Sequence, residues 1–194
     1  MSLAEDIPAA PRFESARAFL LWAAAQPERW ELIGGEAVAM TGGSLNHSRI
    51  ARNALVMLQS CLRAGCEAFG SDAAVVLDET RVAFPDVSVS CGGADGPETG
   101  MDVARPVVVV EVLSPSTAAY DLGAKAEAYR RLPSLRHLAF LHGDRIAAQH
   151  FHRAAAGDEF ALTEIARVDG RLALDAVGVE IVMAELYAQV VLAG

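Results

Sequence analysis

The sequence predicts a single α+β domain with an N-terminal helix and hairpin and a C-terminal antiparallel meander. Three observations carry this. Pro106 to Thr117 reads P-V-V-V-V-E-V-L-S-P-S-T, where four β-branched valines favour extended backbone and the unbroken apolarity calls for cover on both faces. Helical apolar periods stand on either side of that strand, around Phe19, around Leu55 and around Tyr129. No internal repeat, low-complexity tract or linker divides the 194 residues, so residues 1–194 read as one domain with residues 1–12 as a flexible tail.

In chain order, Glu14 to Gln26 places Phe13, Ala16, Phe19, Leu20, Ala23 and Ala24 at a helical period and stops before Pro27. Trp30 to Met40 alternates on both sides of Gly34-Gly35, which is hairpin chemistry, and Glu36 follows the turn directly. Ser44 or Asn46 can cap a helix over Leu45 to Ala64, whose stripe is Ile50, Ala54, Leu55, Leu58 and Leu62. Gly65 ends it. Cys66 to Leu77 is strand material broken at Gly70-Ser71-Asp72. Arg81 to Ser90 reads as one strand in which Asp86, Ser88 and Ser90 share a face, with Pro85 marking an edge, a start or a bulge.

Gly92 to Ala104 is polar and glycine-rich, a loop with the composition of a mobile segment. After the valine strand, Ser114 to Thr117 makes a sharp exit, and Tyr120 to Leu132 forms a helix with Leu122, Ala126 and Tyr129 inward. Leu135 to Leu141 and Arg145 to Arg153 pair across a tight His142-Gly143-Asp144 turn; Glu159 to Ile165 and Arg171 to Leu174 continue the meander. Met183 to Leu192 ends the chain as a short amphipathic helix.

Composition narrows the function. A net charge of −9 disfavours indiscriminate nucleic-acid binding, leaving local basic patches such as Arg49 and Arg52 for any phosphate contact. No apolar run approaches the roughly 18 residues of a membrane span, and the acidic, proline-containing start lacks the layout of a secretory signal. A cytoplasmic protein with no membrane partner is expected. Cys61, Cys66 and Cys91 are an odd set without C-x-x-C spacing, so all three are expected to be reduced thiols.

Glu111 inside an apolar strand needs a cation to meet it. If the Asp86 strand is its neighbour, two carboxylates converge and repel unless a cation lies between them; Mg²⁺, or Mn²⁺ in its place, suits two carboxylates with several waters. Plainer readings stand beside this one. Glu111 can sit in an ion pair, Asp86 can be a turn acid, Lys125 a solvated helix residue, and His47 a surface or capping histidine. His150-x-His152 shares a strand face but has no third ligand at metal spacing, and is read as exposed strand; Ser114-x-Ser116 is read as a turn and cap.

Pro85-Asp86 followed by Glu111-Val112-Leu113, with the longer string V-E-V-L-S-P-S-T and then D-L-G-A-K-A-E-A-Y-R-R-L-P-S-L, resembles the Uma-type family of restriction endonucleases within the PD-(D/E)XK nucleases. E-L-I-G-G-E and N-H-S-R-I extend the likeness to most of the chain. The resemblance implies a restriction-endonuclease-like core, a mixed β-sheet flanked by helices, and a divalent metal held by Asp86, Glu111 and the carbonyl of Val112. Leu113 stands where the motif expects lysine, and the resemblance assigns that role to Lys125 on the following helix. It also implies Glu36 as a further acid of the site and His47 and Tyr129 as accessory residues. The function so implied is a Mg²⁺-dependent DNA endonuclease, by analogy a homodimer; the alternative is a catalytically inactive binding or assembly module that keeps the fold.

Overall fold

Caps and turn residues set the first elements of the computed structural model, which describes residues 10–40, 42–92, 100–114 and 118–192. The Ser15 hydroxyl accepts from the Ala18 N–H at 3.2 Å and opens α1 (Ala16–Ala23). Gly34 and Gly35 take φ of 59° and 82°, the left-handed region a side chain resists, and so turn β1 (Trp30–Ile33) into β2 (Glu36–Ala39). Ser44, not Asn46, caps α2 (Leu45–Cys61), accepting from the His47 N–H at 3.2 Å. Part of the expected N-terminal tail is held: Arg12 bridges to Glu36, while residues 1–9 lie outside the described ones.

Then come β3 (Cys66–Gly70), β4 (Val75–Asp78), β5 (Arg81–Ala83), β6 (Val87–Cys91) and β7 (Pro106–Leu113). The continuous strand expected from Arg81 to Ser90 is two strands in different sheets. β5 joins a four-stranded sheet in the order β2-β1-β5-β4, and β6 joins the main sheet, because Pro85 has no N–H for a ladder and the chain crosses between layers there. Part of the expected mobile loop, residues 93–99, and part of the exit after β7, residues 115–117, lie outside the described residues.

A short α3 (Ala118–Tyr120), a π-helical turn (Asp121–Lys125) and α4 (Ala126–Arg130) stand where one helix is expected. They lead into β8 (His137–His142), β9 (Ala148–His152) and β10 (Ala161–Ile165). The main sheet runs β10-β9-β8-β7-β6-β3; β7 and β8 are parallel and the other neighbours antiparallel, giving the mixed sheet expected. Ile50, Ala54 and Leu58 of α2 cover Val108, Val110 and Val112 on one face of β7, while Ala126 and Tyr129 of α4 cover Val109 and Leu113 on the other. That two-sided burial is what four consecutive valines require.

The C-terminal part departs from a simple meander. β11 (Arg171–Leu174) pairs with β12 (Val179–Val182), a strand not anticipated, in a separate two-stranded ribbon, and α5 (Met183–Leu186) is shorter than expected. Cysteine chemistry also differs. Cys66 and Cys91 sit opposite each other on β3 and β6 and form a disulfide, leaving Cys61 free and exposed. Their 25-residue separation hides a pairing that strand register creates.

His150 is not on an exposed strand face but is buried, with His137 Nδ1 3.0 Å from its Nε2. His137 Nε2 accepts from the Ala176 N–H at 3.1 Å, so the proton of neutral His137 is on Nδ1 and donates to His150. Burial, before any charge effect, lowers His137 to about 4 and His150 to about 3. Folded values below the ordinary 6.5 mean that the unfolded chain binds more protons in the window from 6.5 down to 4, so this stability is present above 6.5 and is lost as pH falls. Urea unfolding is expected to lose on the order of a few kcal/mol across that window from this pair. The acid limb should flatten in a His137→Gln, His150→Gln double variant, and an unchanged limb would exclude the pair as its source.

Candidate active site

Asp86 is carried to the sheet by the crossing at Phe84-Pro85. On the ladder Val87 pairs with Val110, so Asp86 and Glu111 are the next residues outward on neighbouring strands. Asp86 Oδ2 accepts from the Val112 N–H at 2.7 Å and lies 3.2 Å from His47 Nε2, which the capped first turn of α2 presents. Glu111 is buried, and its Oε1 accepts from the Tyr129 hydroxyl at 2.8 Å and from Lys125 Nζ at 2.9 Å. Lys125, 5% exposed, also reaches Glu31 Oε1 at 3.0 Å and Asp121 Oδ1 at 3.7 Å. Glu31 in turn accepts from the Phe84 N–H at 3.2 Å, tying the hairpin to the crossing that delivers Asp86. Glu31, His47, Asp86, Glu111, Asp121 and Lys125 line a cleft of about 1510 Å³, and Tyr129 supports Glu111 from the core behind it.

The inward turn of Lys125 has a local cause. Gly123, at φ −98° and ψ −108°, breaks the helix inside the π-helical turn and lets Asp121 and Lys125 both be buried, a widening often found at functional sites. Asp121 and Lys125 stand four residues apart, the spacing of a helical ion pair.

Charge is unbalanced here. Glu31, Asp86, Glu111 and Asp121 face one lysine and one histidine. Burial first, then repulsion from Asp86 and Glu31, pushes the Glu111 carboxyl up to about 7 against the pull of Lys125. Burial works against the charge on Lys125, but Glu111, Glu31 and Asp121 outweigh it and the net shift is upward. The hydrogen bond to Asp86 outweighs burial and raises His47 above 6.5, and burial followed by the Glu111 charge raises Tyr129.

The site therefore brings together Asp86, Glu111, Val112, Lys125, His47 and Tyr129. It does not include Glu36, which pairs with Arg12 at 2.8 Å and is half exposed. In the hairpin register Glu36 faces Ile33 beside the turn, whereas Glu31 faces Val38 farther along and is the acid that meets Lys125. Arg49 and Arg52 are also absent from the cleft lining: Arg49 bonds Asn46, and Arg52 bonds Asn53 and Gln189. Glu31 and Asp121 went unread in the sequence, although the four-residue step from Asp121 to Lys125 was a usable signal.

Among the described residues no three His, Cys, Asp or Glu side chains form a ready metal cage. The donor set nevertheless fits a hard cation. Asp86 takes both its contacts on Oδ2 and Glu111 takes both on Oε1, so Asp86 Oδ1 and Glu111 Oε2 accept no hydrogen bond from a described residue. Two carboxylate oxygens in a negatively charged cleft suit Mg²⁺, which keeps most of its waters.

Residues 16–184 match the Uma2 family, described as "Putative restriction endonuclease". An uncharacterized protein of Synechocystis sp. is 34% identical over 175 residues, covering 89% of this chain and 90% of its own length. A second uncharacterized Synechocystis protein is 32% identical over 147 residues, covering 71% of this chain and 79% of its own. Among solved structures, a "putative nuclease belonging to DUF820" from Anabaena variabilis superposes with a TM-score of 0.69 at 14% identity, covering 89% of this chain and 98% of that one, a likeness of fold. The breadth of the family match, reached independently of the site geometry, closes the question of kinship: the chain belongs to the Uma2 family and has its restriction-endonuclease-like fold.

Proposed function

We propose that the chain is a Mg²⁺-dependent endonuclease that hydrolyses phosphodiester bonds of DNA, with Mn²⁺ able to replace Mg²⁺. The observation that supports this best is the meeting of Asp86 and Glu111 from neighbouring strands beside the buried Lys125 ammonium. Asp86, Glu111 and the Val112 carbonyl would hold the ion. When bound, it supplies charge stabilisation for the phosphodiester and acidity for an attacking water.

The chain's own groups have separable tasks. Tyr129 and Lys125 hold Glu111 by one oxygen, while the Val112 N–H and His47 hold Asp86 by one oxygen, which orients both carboxylates before any ligand arrives. Lys125 supplies a fixed positive charge against the negative charge of the reacting phosphate, and Glu31 and Asp121 keep it in place. An inactive binding module is the weaker reading, because Lys125 brings an ammonium group to Glu111 although Leu113 stands at the motif position. A homodimer, one site per DNA strand, belongs to the same proposal.

The test is cleavage of plasmid DNA with Mg²⁺, repeated in excess chelator and with Asp86→Ala and Glu111→Ala. Cleavage should stop in the chelator and fall at least about 100-fold in each variant. Wild-type rates from both variants would end the proposal.

A further inference from the structure

The cleft that holds Asp86 and Glu111 is acidic at its centre, yet a nucleic-acid strand needs cations along its path. Three Lys and Arg side chains are among its described lining residues: Arg29, Lys125 and Arg145. Lys125 is committed to carboxylates at the bottom. Arg29 bonds Ser71 and Asp72 and packs over the Phe84 ring at 5.7 Å. Arg145 differs, since its side-chain hydrogen bonds to described residues stay within its own turn. Its Nη1 is 3.3 Å from Asp144 Oδ1 and 3.4 Å from Oδ2, and its Nη2 is 3.3 Å from His142 Nε2.

That turn is held firmly and in the right place. It follows β8 at the carboxyl end of the parallel β7–β8 pair, where His142 lies beside Leu113, two residues past Glu111. The buried Tyr187 hydroxyl bridges the carbonyls of His142 at 2.7 Å and Ala147 at 2.9 Å, the two ends of the turn. The His142 N–H donates to Ala147 at 3.0 Å, and the Ala147 N–H to the Arg145 carbonyl at 2.9 Å. Gly143 lies so close to β7 that a Cβ there would meet the Leu113 carbonyl at 3.0 Å. Because a guanidinium only donates, His142 Nε2 is the acceptor and steadies Arg145. The Asp144 pair is well exposed on both sides, so it yields readily to a stronger partner.

We infer that Arg145 is the phosphate clamp of this cleft: its guanidinium takes a backbone phosphate of the DNA strand beside the phosphate to be cut. The assignment rests on the nuclease reading for its substrate, and it replaces Arg49 and Arg52 as the nucleic-acid contact. Planar, paired N–H donors match phosphate oxygens in a way a lysine does not.

Binding of a fluorescent DNA duplex in Mg²⁺ tests it in a Glu111→Gln background, where cleavage is off. Adding Arg145→Ala should weaken binding about tenfold and lower the slope of log affinity against log salt by about 0.9. Arg145→Lys should keep the slope and recover only part of the affinity, while Arg52→Ala changes neither. An Arg145→Ala protein with unaltered affinity and slope, or a parent that binds no DNA, overturns the clamp. The two readings separate in the otherwise wild-type chain. Cleavage undiminished by Arg145→Ala sinks the clamp alone, whereas DNA binding with the expected slope loss but no Mg²⁺-dependent cleavage sinks the nuclease reading alone.

Discussion

Lys125→Met is expected to cost about 3–5 kcal/mol of folding stability at pH 8, because it leaves Glu31, Glu111 and Asp121 around a buried site without their shared cation. Methionine fills similar space, so the loss is electrostatic and not a cavity. It should therefore shrink at pH 5, where Glu111, already pushed up to about 7 in the native protein, takes a proton and removes one of the stranded charges. Urea unfolding at the two pH values reads this directly. A loss relative to the wild type that is equal at both pH values, or no loss at pH 8, would show that Lys125 is not the counter-charge. On the proposed function the same variant should cleave at least about 100-fold more slowly.

Glu111→Gln is expected to separate stability from activity. The native carboxyl titrates near 7 against an ordinary 4.5, so the folded protein binds more protons than the unfolded chain between those values. Stability from this group is full below 4.5 and falls as pH rises through 7, by on the order of a few kcal/mol. Glutamine keeps an oxygen to accept from Tyr129 and carries no charge to bury. Relative to the wild type, the variant should gain stability between pH 5 and pH 8, and on the proposed function Mg²⁺-dependent cleavage should disappear. His47, and the His137–His150 pair through the ordinary 6.5 of its unfolded form, also change stability in this range, so the difference between the two proteins is the quantity to measure, by urea midpoints at each pH. A constant difference across the range would mean that Glu111 is not strained by its burial. Such a trade of stability for a poised carboxylate is common where chemistry is done.

Much of this molecule was open to local reasoning. The Gly34-Gly35 turn, a cap at one of the two candidates Ser44 and Asn46, and the valine strand each rest on physics that acts within a few residues, and each is present where expected. The meeting of Asp86 with Glu111 was reachable as well, because both acids lie in or next to strong strand patterns. Glu36 was chosen over Glu31 for the opposite reason. Both flank the same turn, and only the hairpin's packing against the Lys125 turn tells them apart. Arg49 and Arg52 had the right charge on the right helix, yet neither lines the cleft, and each is engaged by side chains beside it or at the C-terminus.

By itself the sequence determined the first helix and hairpin, the two-sided burial of β7 and the need of Glu111 for a cation, since side-chain period and χ1 stiffness are properties of neighbours along the chain. Tertiary structure alone decided that the Lys125 ammonium meets Glu111 directly, that Cys66 bonds Cys91, and that Arg145 and not Arg52 lines the cleft of the acids. Those outcomes follow from a glycine kink, a strand register and a pinned turn. Each joins residues far apart in sequence, at distances set only once the sheet and its flanking helices have closed on one another.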